Sequence, residues 1–507
     1  MVTARRVLLV NPTMTARRHA RFPLSLLSLA QALTGEYEST LIDGNVDRDT
    51  PAVLKRALAN GPWDAVAVTV MGGPQVSSAI EVSRAVRAAA PATPIVWGGY
   101  FPTLYPAVAL NAPYVDFAVR GPGEETFAEL LRCLRAARDG AAGGDDPGRI
   151  AGLSWRRAGA AVHNEDRRVL QPPRSSVASF GLLGDPRKYL VPTMLGRRTA
   201  AHQAALGCRF RCTFCGVAAM FRGATLLPQA ALLEHDLTYL KERLGADSIQ
   251  FYDHNFFDRE VDMVPLLEVL ARLELPWWCY ARSDALLGLS ASSWALVRRS
   301  RLRMAYIGAE SPSDQLLHDI RKGTRADQTL QVVELCRRHG VIPELSFMVA
   351  PPQDPEGETE RTFDFIRAVK RLNPDSEIVV YVYTPPPPES VPQSQRYRLA
   401  PLADAAGRAL RFPATPEEWT ERRWVDYACH ADAPWLTERL RRRIRDFVTV
   451  LRCRFPTVQD VRTPRWAMST LRAAAAWRYR YRKYDSPWEL DLARRLARLA
   501  DPRATGL

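Results

Sequence analysis

Short runs rich in Val and Ile alternate with helical stretches along most of the chain, and this alternation narrows the fold more than any other feature. Strands that are apolar without interruption are buried on both faces, as in parallel sheets covered by helices. A first set comprises Val7–Val10, Ser39–Ile42, Ala65–Val70, Pro94–Trp97 and Phe117–Arg120, with helices between them such as Ser77–Ala89 and Glu124–Ala137. Five βα units predict an α/β domain over residues 1–138, a doubly wound flavodoxin/Rossmann-like sheet. A second set of six follows: Ala200–Ala205, Ser248–Tyr252, Trp278–Arg282, Met304–Gly308, Glu344–Val349 and Glu377–Tyr383, with helices such as Leu232–Leu244 and Thr329–His339. Residues 139–194 read as a connector, Gly- and Asp-rich over 139–148, with a small β-hairpin inside Ile150–Val169. Residues 391–507 read as a mostly helical C-terminal region.

In a doubly wound sheet a ligand sits at the carboxyl ends of the strands. Those ends carry Pro12-Thr13, Asp43-Gly44, Met71-Gly72-Gly73-Pro74-Gln75, Gly98-Gly99-Tyr100 and Gly121-Pro122-Gly123-Glu124-Glu125. Glycine permits close approach of backbone to a ligand, although each loop taken singly also reads as an ordinary βα turn. The first strand is not followed by G-x-G-x-x-G, and G-x-x-x-x-G-K-[ST] does not occur, which disfavours a dinucleotide or a P-loop ligand.

Cys208, Cys212 and Cys215 stand in the spacing C-x3-C-x2-C, while the other five cysteines are scattered singly. Structural zinc sites usually use four ligands in two pairs, and a [4Fe–4S] cluster normally takes four thiolates. Three thiolates leave one iron open to a further ligand. Zinc completed by a distant His, and three incidental core cysteines, are the alternatives.

The triplet, with Phe214 before its third Cys, resembles the radical SAM signature. Val70–Gln75, Ile95–Thr103 and Val119–Phe127 resemble the cobalamin-binding domain of B12-dependent radical SAM enzymes. The resemblance spans roughly residues 4–390 and implies a partial (β/α)6 barrel over 195–390. It implies a [4Fe–4S] cluster on Cys208, Cys212 and Cys215, S-adenosylmethionine (SAM) on its open iron, and cobalamin bound base-off without an axial His. The D-x-H-x-x-G motif that supplies such a His elsewhere is absent. SAM is expected to meet Phe214, Asp253, Arg282, Glu310, Ser311 and Ser346, with Glu310 toward the ribose and Arg282 and Ser346 toward the carboxylate. Glu310 as a helix cap, Arg282 paired with Asp253 or Asp284, and His254 as a plain strand-end residue are the structural alternatives. Cobalamin is expected to meet Pro12, Thr13, Asp43, Gly44, Met71, Gly72, Gly73, Gln75, Gly98, Gly99, Tyr100, Thr103, Gly121, Gly123, Glu124 and Glu125. The chain departs from the family at Tyr100-Phe101, where relatives carry Pro-His, at Pro312, and at Pro385–Pro388.

The implied reaction is methylation of an unactivated carbon of a small molecule, by hydrogen abstraction with a 5′-deoxyadenosyl radical and methyl transfer from methylcobalamin. Non-methylating oxidation, cyclisation or rearrangement is the nearest alternative. A cofactor-binding sensor with a nucleic-acid-binding tail is an alternative of another class. The formal charge is +14, but residues 438–507 hold 18 Lys and Arg against 7 Asp and Glu, so +11 belongs to the tail. Most such runs are solvated helix faces. The tail is otherwise expected to cover the barrel mouth and hold an anionic group of the substrate, with nucleic acid second. An electron donor such as flavodoxin or ferredoxin is implied. No apolar run reaches the ~18 residues that span a bilayer, and a cytoplasmic location is expected.

Overall fold

The computed structural model describes residues 5–47, 49–140, 146–168, 172–387, 402–459 and 465–496. The centre of the expected connector, Pro388, and the segments 389–401 and 497–507 lie outside the described residues. The first sheet contains β1 (Arg6–Asn11), β2 (Glu38–Asp43), β3 (Ala65–Thr69), β4 (Ile95–Gly98), β5 (Phe117–Val119), β6 (Leu153–Arg157) and β7 (Ala160–His163). Its order is β2-β1-β3-β4-β5-β6-β7, parallel through β5 and antiparallel beyond. The hairpin expected in the connector therefore extends the first sheet, with Val119 opposite Leu153 and Phe117 opposite Trp155.

Val7, Leu8, Leu9 and Val10 are all fully buried. Leu8 and Val10 join one core and Val7 and Leu9 another, because successive side chains point to opposite faces and helices cover both. Each such side chain contributes about 1.5–3 kcal/mol of burial.

After β8 (Thr199–His202), a ribbon of β9 (Leu206–Gly207) and β10 (Thr225–Leu226) closes the neck of the cysteine loop. The second sheet continues with β11 (Ser248–Phe251), β12 (Trp277–Ala281), β13 (Leu302–Glu310), β14 (Ile342–Val349) and β15 (Glu377–Val382). Its six strands run parallel in the order β8-β11-β12-β13-β14-β15, an open barrel wall in chain order. The two sheets share one core. Phe22 of the first domain stacks on Phe180, ring centroids 4.6 Å apart, and Phe180 meets Tyr239 on the helix Ala230–Glu242 of the second.

The C-terminal region is helical over Arg422–Ala428, Glu438–Arg454, Arg465–Arg480 and Trp488–Leu496. It touches both domains. Trp419 packs on Tyr105 at 4.5 Å, and Trp435 donates through Nε1 to the Ala350 carbonyl at 2.8 Å. The basic stretch lies on exposed helix faces, and part of its charge has partners. Glu356, Glu360 and Asp364 are spaced by four on the helix Pro355–Leu372, and they pair with Arg439, Arg443 and Arg482 respectively. Arg478 pairs with Glu489 within the tail. Much of the tail's charge thus meets carboxylates on the outside of the barrel. Among the described residues no helix is long and apolar enough to cross a membrane.

Candidate active site

The carboxyl ends of the first sheet's strands are tied to one another by polar side chains. Gln75 is buried, donates through Nε2 to Asn11 Oδ1 and the Pro12 carbonyl, and accepts from Met71 N at 2.7 Å. It fastens the loops after β1 and β3, where the strand order reverses, the place such sheets offer to ligands. Asp43 accepts from Asn11, Asn45 and the Tyr189 hydroxyl, and burial holds its carboxyl above the ordinary range. The Thr13 hydroxyl donates to the Gly44 carbonyl, and that of Thr103 to the Gly99 carbonyl while accepting from Gly121 N. Glu124 accepts from Ser28, and Glu125 pairs with Arg167. These residues, expected at cobalamin, have protein partners that set the loop shapes.

Other residues of the same set remain open. Met71 is 46% exposed, and a Cβ built on Gly72 or Gly98 would meet nothing within 4 Å. Gly72 has φ +121°, a conformation that L side chains rarely adopt. A Cβ at Gly73 would lie 2.9 Å from Cys429 Sγ, so the C-terminal region borders this cradle. The concavity at Gly72 and Gly98 fits a flat macrocycle against backbone.

Across from it lies the cysteine loop. Cys212 is buried, and Cys215 caps the helix Gly216–Phe221. Burial pushes the Cys215 thiol up to about 12 and raises Cys208 as well, so a bound cation is needed to hold them as thiolates. Among the described residues no group of three His, Cys, Asp or Glu side chains is drawn together as around an ion. The Arg282 guanidinium stands 4.0 Å from Cys212 Sγ and stacks on Phe210 at 3.5 Å. Three thiols on one loop with a fixed cation beside them suit an anionic cluster. Thr213 N donates to the Ile320 carbonyl, which docks the loop on the segment after β13.

Glu310 ends β13 at a register shift with φ +61°, an uncommon conformation for a non-glycine residue and a frequent mark of functional sites. Its carboxylate receives Lys322 Nζ at 2.6 Å, with both side chains buried, and Ser346 Oγ at 3.5 Å. Sequence reasoning missed Lys322, although it lies in a stretch that matches the family. Arg282 makes a two-point pair with Asp284, both contacts 2.9 Å, and donates to the Lys322 carbonyl at 2.7 Å. The structure thus joins Arg282, Lys322, Glu310 and Ser346 into one polar wall with Phe214, whose ring lies 6.0 Å from Lys322 Nζ. Asp253 and Ser311 stand apart from that wall. Asp253 is fully buried and accepts from Ala204 N and Ala205 N, tying the ends of β8 and β11, and burial raises its carboxyl to about 7. The Ser311 hydroxyl accepts from Ser313 N and meets Glu358.

One contact crosses between the two halves. Tyr100, from the β4 end, meets His254 Nε2 at 3.2 Å, and its ring packs against Gly216, next to Cys215. Burial lowers His254 to about 4, so the imidazole is neutral near pH 7. Its Nδ1 is buried without a hydrogen-bond partner.

Fold and site define a two-domain α/β protein that presents a glycine-edged cradle to a three-cysteine barrel loop. The chain matches the B12 binding domain over residues 14–131 and the Radical SAM superfamily over residues 204–366. It belongs to the cobalamin-dependent radical SAM enzymes, and a [4Fe–4S] cluster, SAM and cobalamin are the cofactors that go with the two domains. It is 25% identical over 353 residues to an uncharacterized methyltransferase of Pyrococcus horikoshii, covering 68% of this chain and 73% of that one. It is 24% identical over 395 residues to the anaerobic magnesium-protoporphyrin IX monomethyl ester cyclase of a Synechocystis species, covering 74% of each. The fold resembles the radical SAM methyltransferase TsrM of Kitasatospora setae with cobalamin and [4Fe–4S] cluster bound (TM-score 0.61, 21% identity, 82% and 84% covered). It also resembles the cobalamin-dependent enzyme OxsB with aqua-cobalamin and SAM bound (TM-score 0.65, 16% identity, 100% and 77% covered).

Proposed function

We propose that the protein methylates an unactivated carbon of a small-molecule substrate, with cobalamin bound base-off and without an axial His. When bound, the cluster and one SAM would supply a carbon-centred radical oxidant, and cobalamin would supply a methyl group taken, after reduction by an external electron donor, from a second SAM. The observation that most supports this reading is the Tyr100–His254 contact, which joins the loop after β4 to the loop after β11 beside Gly216 of the cysteine loop. A substrate that would lose hydrogen to one cofactor and gain methyl from another needs both held beside it, since placement can account for ~7–11 kcal/mol of a barrier. The methyltransferase among the relatives supports transfer of a methyl group.

The chain's own residues have definable tasks. Arg282 and Lys322 place positive charge beside the cluster loop, and a SAM carboxylate would share Arg282 with Asp284, which already takes its Nε and Nη2. Glu310 is set to accept from the ribose hydroxyls, with Lys322 holding its Oε1 at 2.6 Å. Tyr100 and His254 are both neutral near pH 7 and hold the two halves in register.

Anaerobically reconstituted protein given methyl-labelled SAM, a reductant and substrate is expected to yield labelled product and 5′-deoxyadenosine. Product without label sinks the methylation reading in favour of the cyclase-like alternative that the Synechocystis relative represents. Intact SAM cleavage by Cys212→Ala sinks the cluster assignment.

A further inference from the structure

Aromatic side chains line the inside of the barrel wall. In register across the parallel strands, Tyr280 stands beside Tyr306 and Met348 beside Tyr381. The Tyr280 and Tyr306 rings are 5.0 Å apart, and the Tyr306 hydroxyl donates to that of Tyr381 at 3.1 Å. All three tyrosines are partly accessible, whereas the flanking Ala281, Ala305 and Ile307 are buried. Their phenols are nevertheless so surrounded by protein that burial raises them all. Side chains both surrounded and accessible face an internal space. Its base is Glu344, buried and accepting from Trp278 Nε1 at 2.8 Å and from Gln459 Nε2.

The C-terminal region completes this space. His430, with φ +53°, accepts from Val382 N at 2.9 Å through its carbonyl, and its Nδ1 bonds the Thr384 hydroxyl. Its ring lies 6.1 Å from that of Tyr381. The imidazole is exposed, yet the enclosing protein lowers it to about 4, so it is neutral near pH 7. Thr384 engages Nδ1, which leaves Nε2 as the second hydrogen-bonding position. Arg282 and Lys322, the cations at the mouth, are already paired with Asp284 and Glu310.

We infer that this lumen receives an uncharged, planar part of the substrate, packed against Tyr280, Tyr306 and Tyr381, with His430 and the phenol hydroxyls bonding its polar atoms. This deepens the function proposed above and rests on it. Aromatic walls favour rings at centroid distances of about 4.5–7 Å. An anion here would face the Glu344 carboxyl and a neutral imidazole, with Arg452 as the cation that acts on Tyr381, and a buried charge without a counterion in contact is costly.

Equilibrium dialysis of the reconstituted full chain, with saturating SAM and no reductant, tests this using 4-methylphenol and 4-methylbenzoate, which share a ring and differ in charge. Saturable binding of 4-methylphenol is expected, about tenfold tighter than 4-methylbenzoate. Tyr381→Ala and His430→Ala should each weaken it about fivefold or more, and Tyr381→Phe about twofold or less. Equal or tighter binding of 4-methylbenzoate, no saturable binding of 4-methylphenol, or unchanged affinity in both Ala variants overturns the inference. The wild-type comparison stands if a variant does not fold. Reduction of the same sample reads 5′-deoxyadenosine formation. Loss of that product with the charge preference intact overturns the proposed function and leaves the lumen assignment standing.

Discussion

Lys322 Nζ lies 2.6 Å from Glu310 Oε1, twelve residues away in sequence, and the absence of a side chain at Gly308 makes the contact possible. A Cβ at Gly308 would overlap both the Glu310 carboxylate and the Lys322 ammonium. Gly308→Ala is therefore expected to displace the pair. SAM binding by the reconstituted protein should weaken about tenfold or more, a loss of about 1.4 kcal/mol, while iron content stays near one cluster per chain.

Lys322→Met leaves Glu310 buried without its cation. Removing one member of a buried pair costs about 3–5 kcal/mol. Chemical denaturation near neutral pH should show a loss of that order.

Burial raises Glu344 to about 7. The folded protein therefore binds this proton more tightly than the unfolded chain, whose Glu titrates at about 4.3. Between those values stability falls as pH rises, by up to about 1.4 kcal/mol per pH unit from this group. Denaturation midpoints measured from pH 5 to 8 should decline, and Glu344→Gln should flatten that decline. An unchanged slope in the variant would mean that other groups cause it.

The acidic stripe Glu356, Glu360 and Asp364 holds Arg439, Arg443 and Arg482. Exposed pairs are worth about 0–1 kcal/mol each and are screened by salt. Neutralising all three acids (Glu356→Gln, Glu360→Gln, Asp364→Asn) should therefore lower the melting temperature by only a few degrees. It should speed proteolytic cleavage beyond residue 437 and free arginines to bind polyanions such as heparin, which the wild type should bind more weakly.

Tyr100→Phe keeps the ring on Gly216 and removes the hydroxyl from His254. Because His254 Nδ1 already lacks a partner, the variant leaves both ring nitrogens unsatisfied, at a cost of about 1–3 kcal/mol. A matching fall in denaturation free energy, with cluster content unchanged, is the expected outcome.

The parallel sheets were legible because residues such as Val7–Val10 have no polar face, and an unbroken apolar strand has few other places to go. The cysteine loop was legible from spacing alone. The Lys322–Glu310 pair was not, because it depends on a register shift in β13 and on the chain returning after a helix. Asp253 and Gln75 sit at strand ends as ligand-binding residues do, and only their hydrogen bonds reveal that they fasten loops. The pairing of the basic tail was not read, because its charge was weighed without a counterpart. The signal was present in the four-residue spacing of Glu356, Glu360 and Asp364. His430 gave no local sign, since it reaches the barrel only through tertiary packing.

The segment carrying Trp419, Tyr427 and His430 touches the first sheet, the barrel and the cradle loop at Gly73. It also follows both cofactor domains in the chain. Domains emerge and fold in the order of synthesis. The cradle and the cysteine loop therefore exist as an open cleft while this segment is still inside the ribosome. The macrocycle and the cluster therefore have an assembly window that precedes the arrival of this segment.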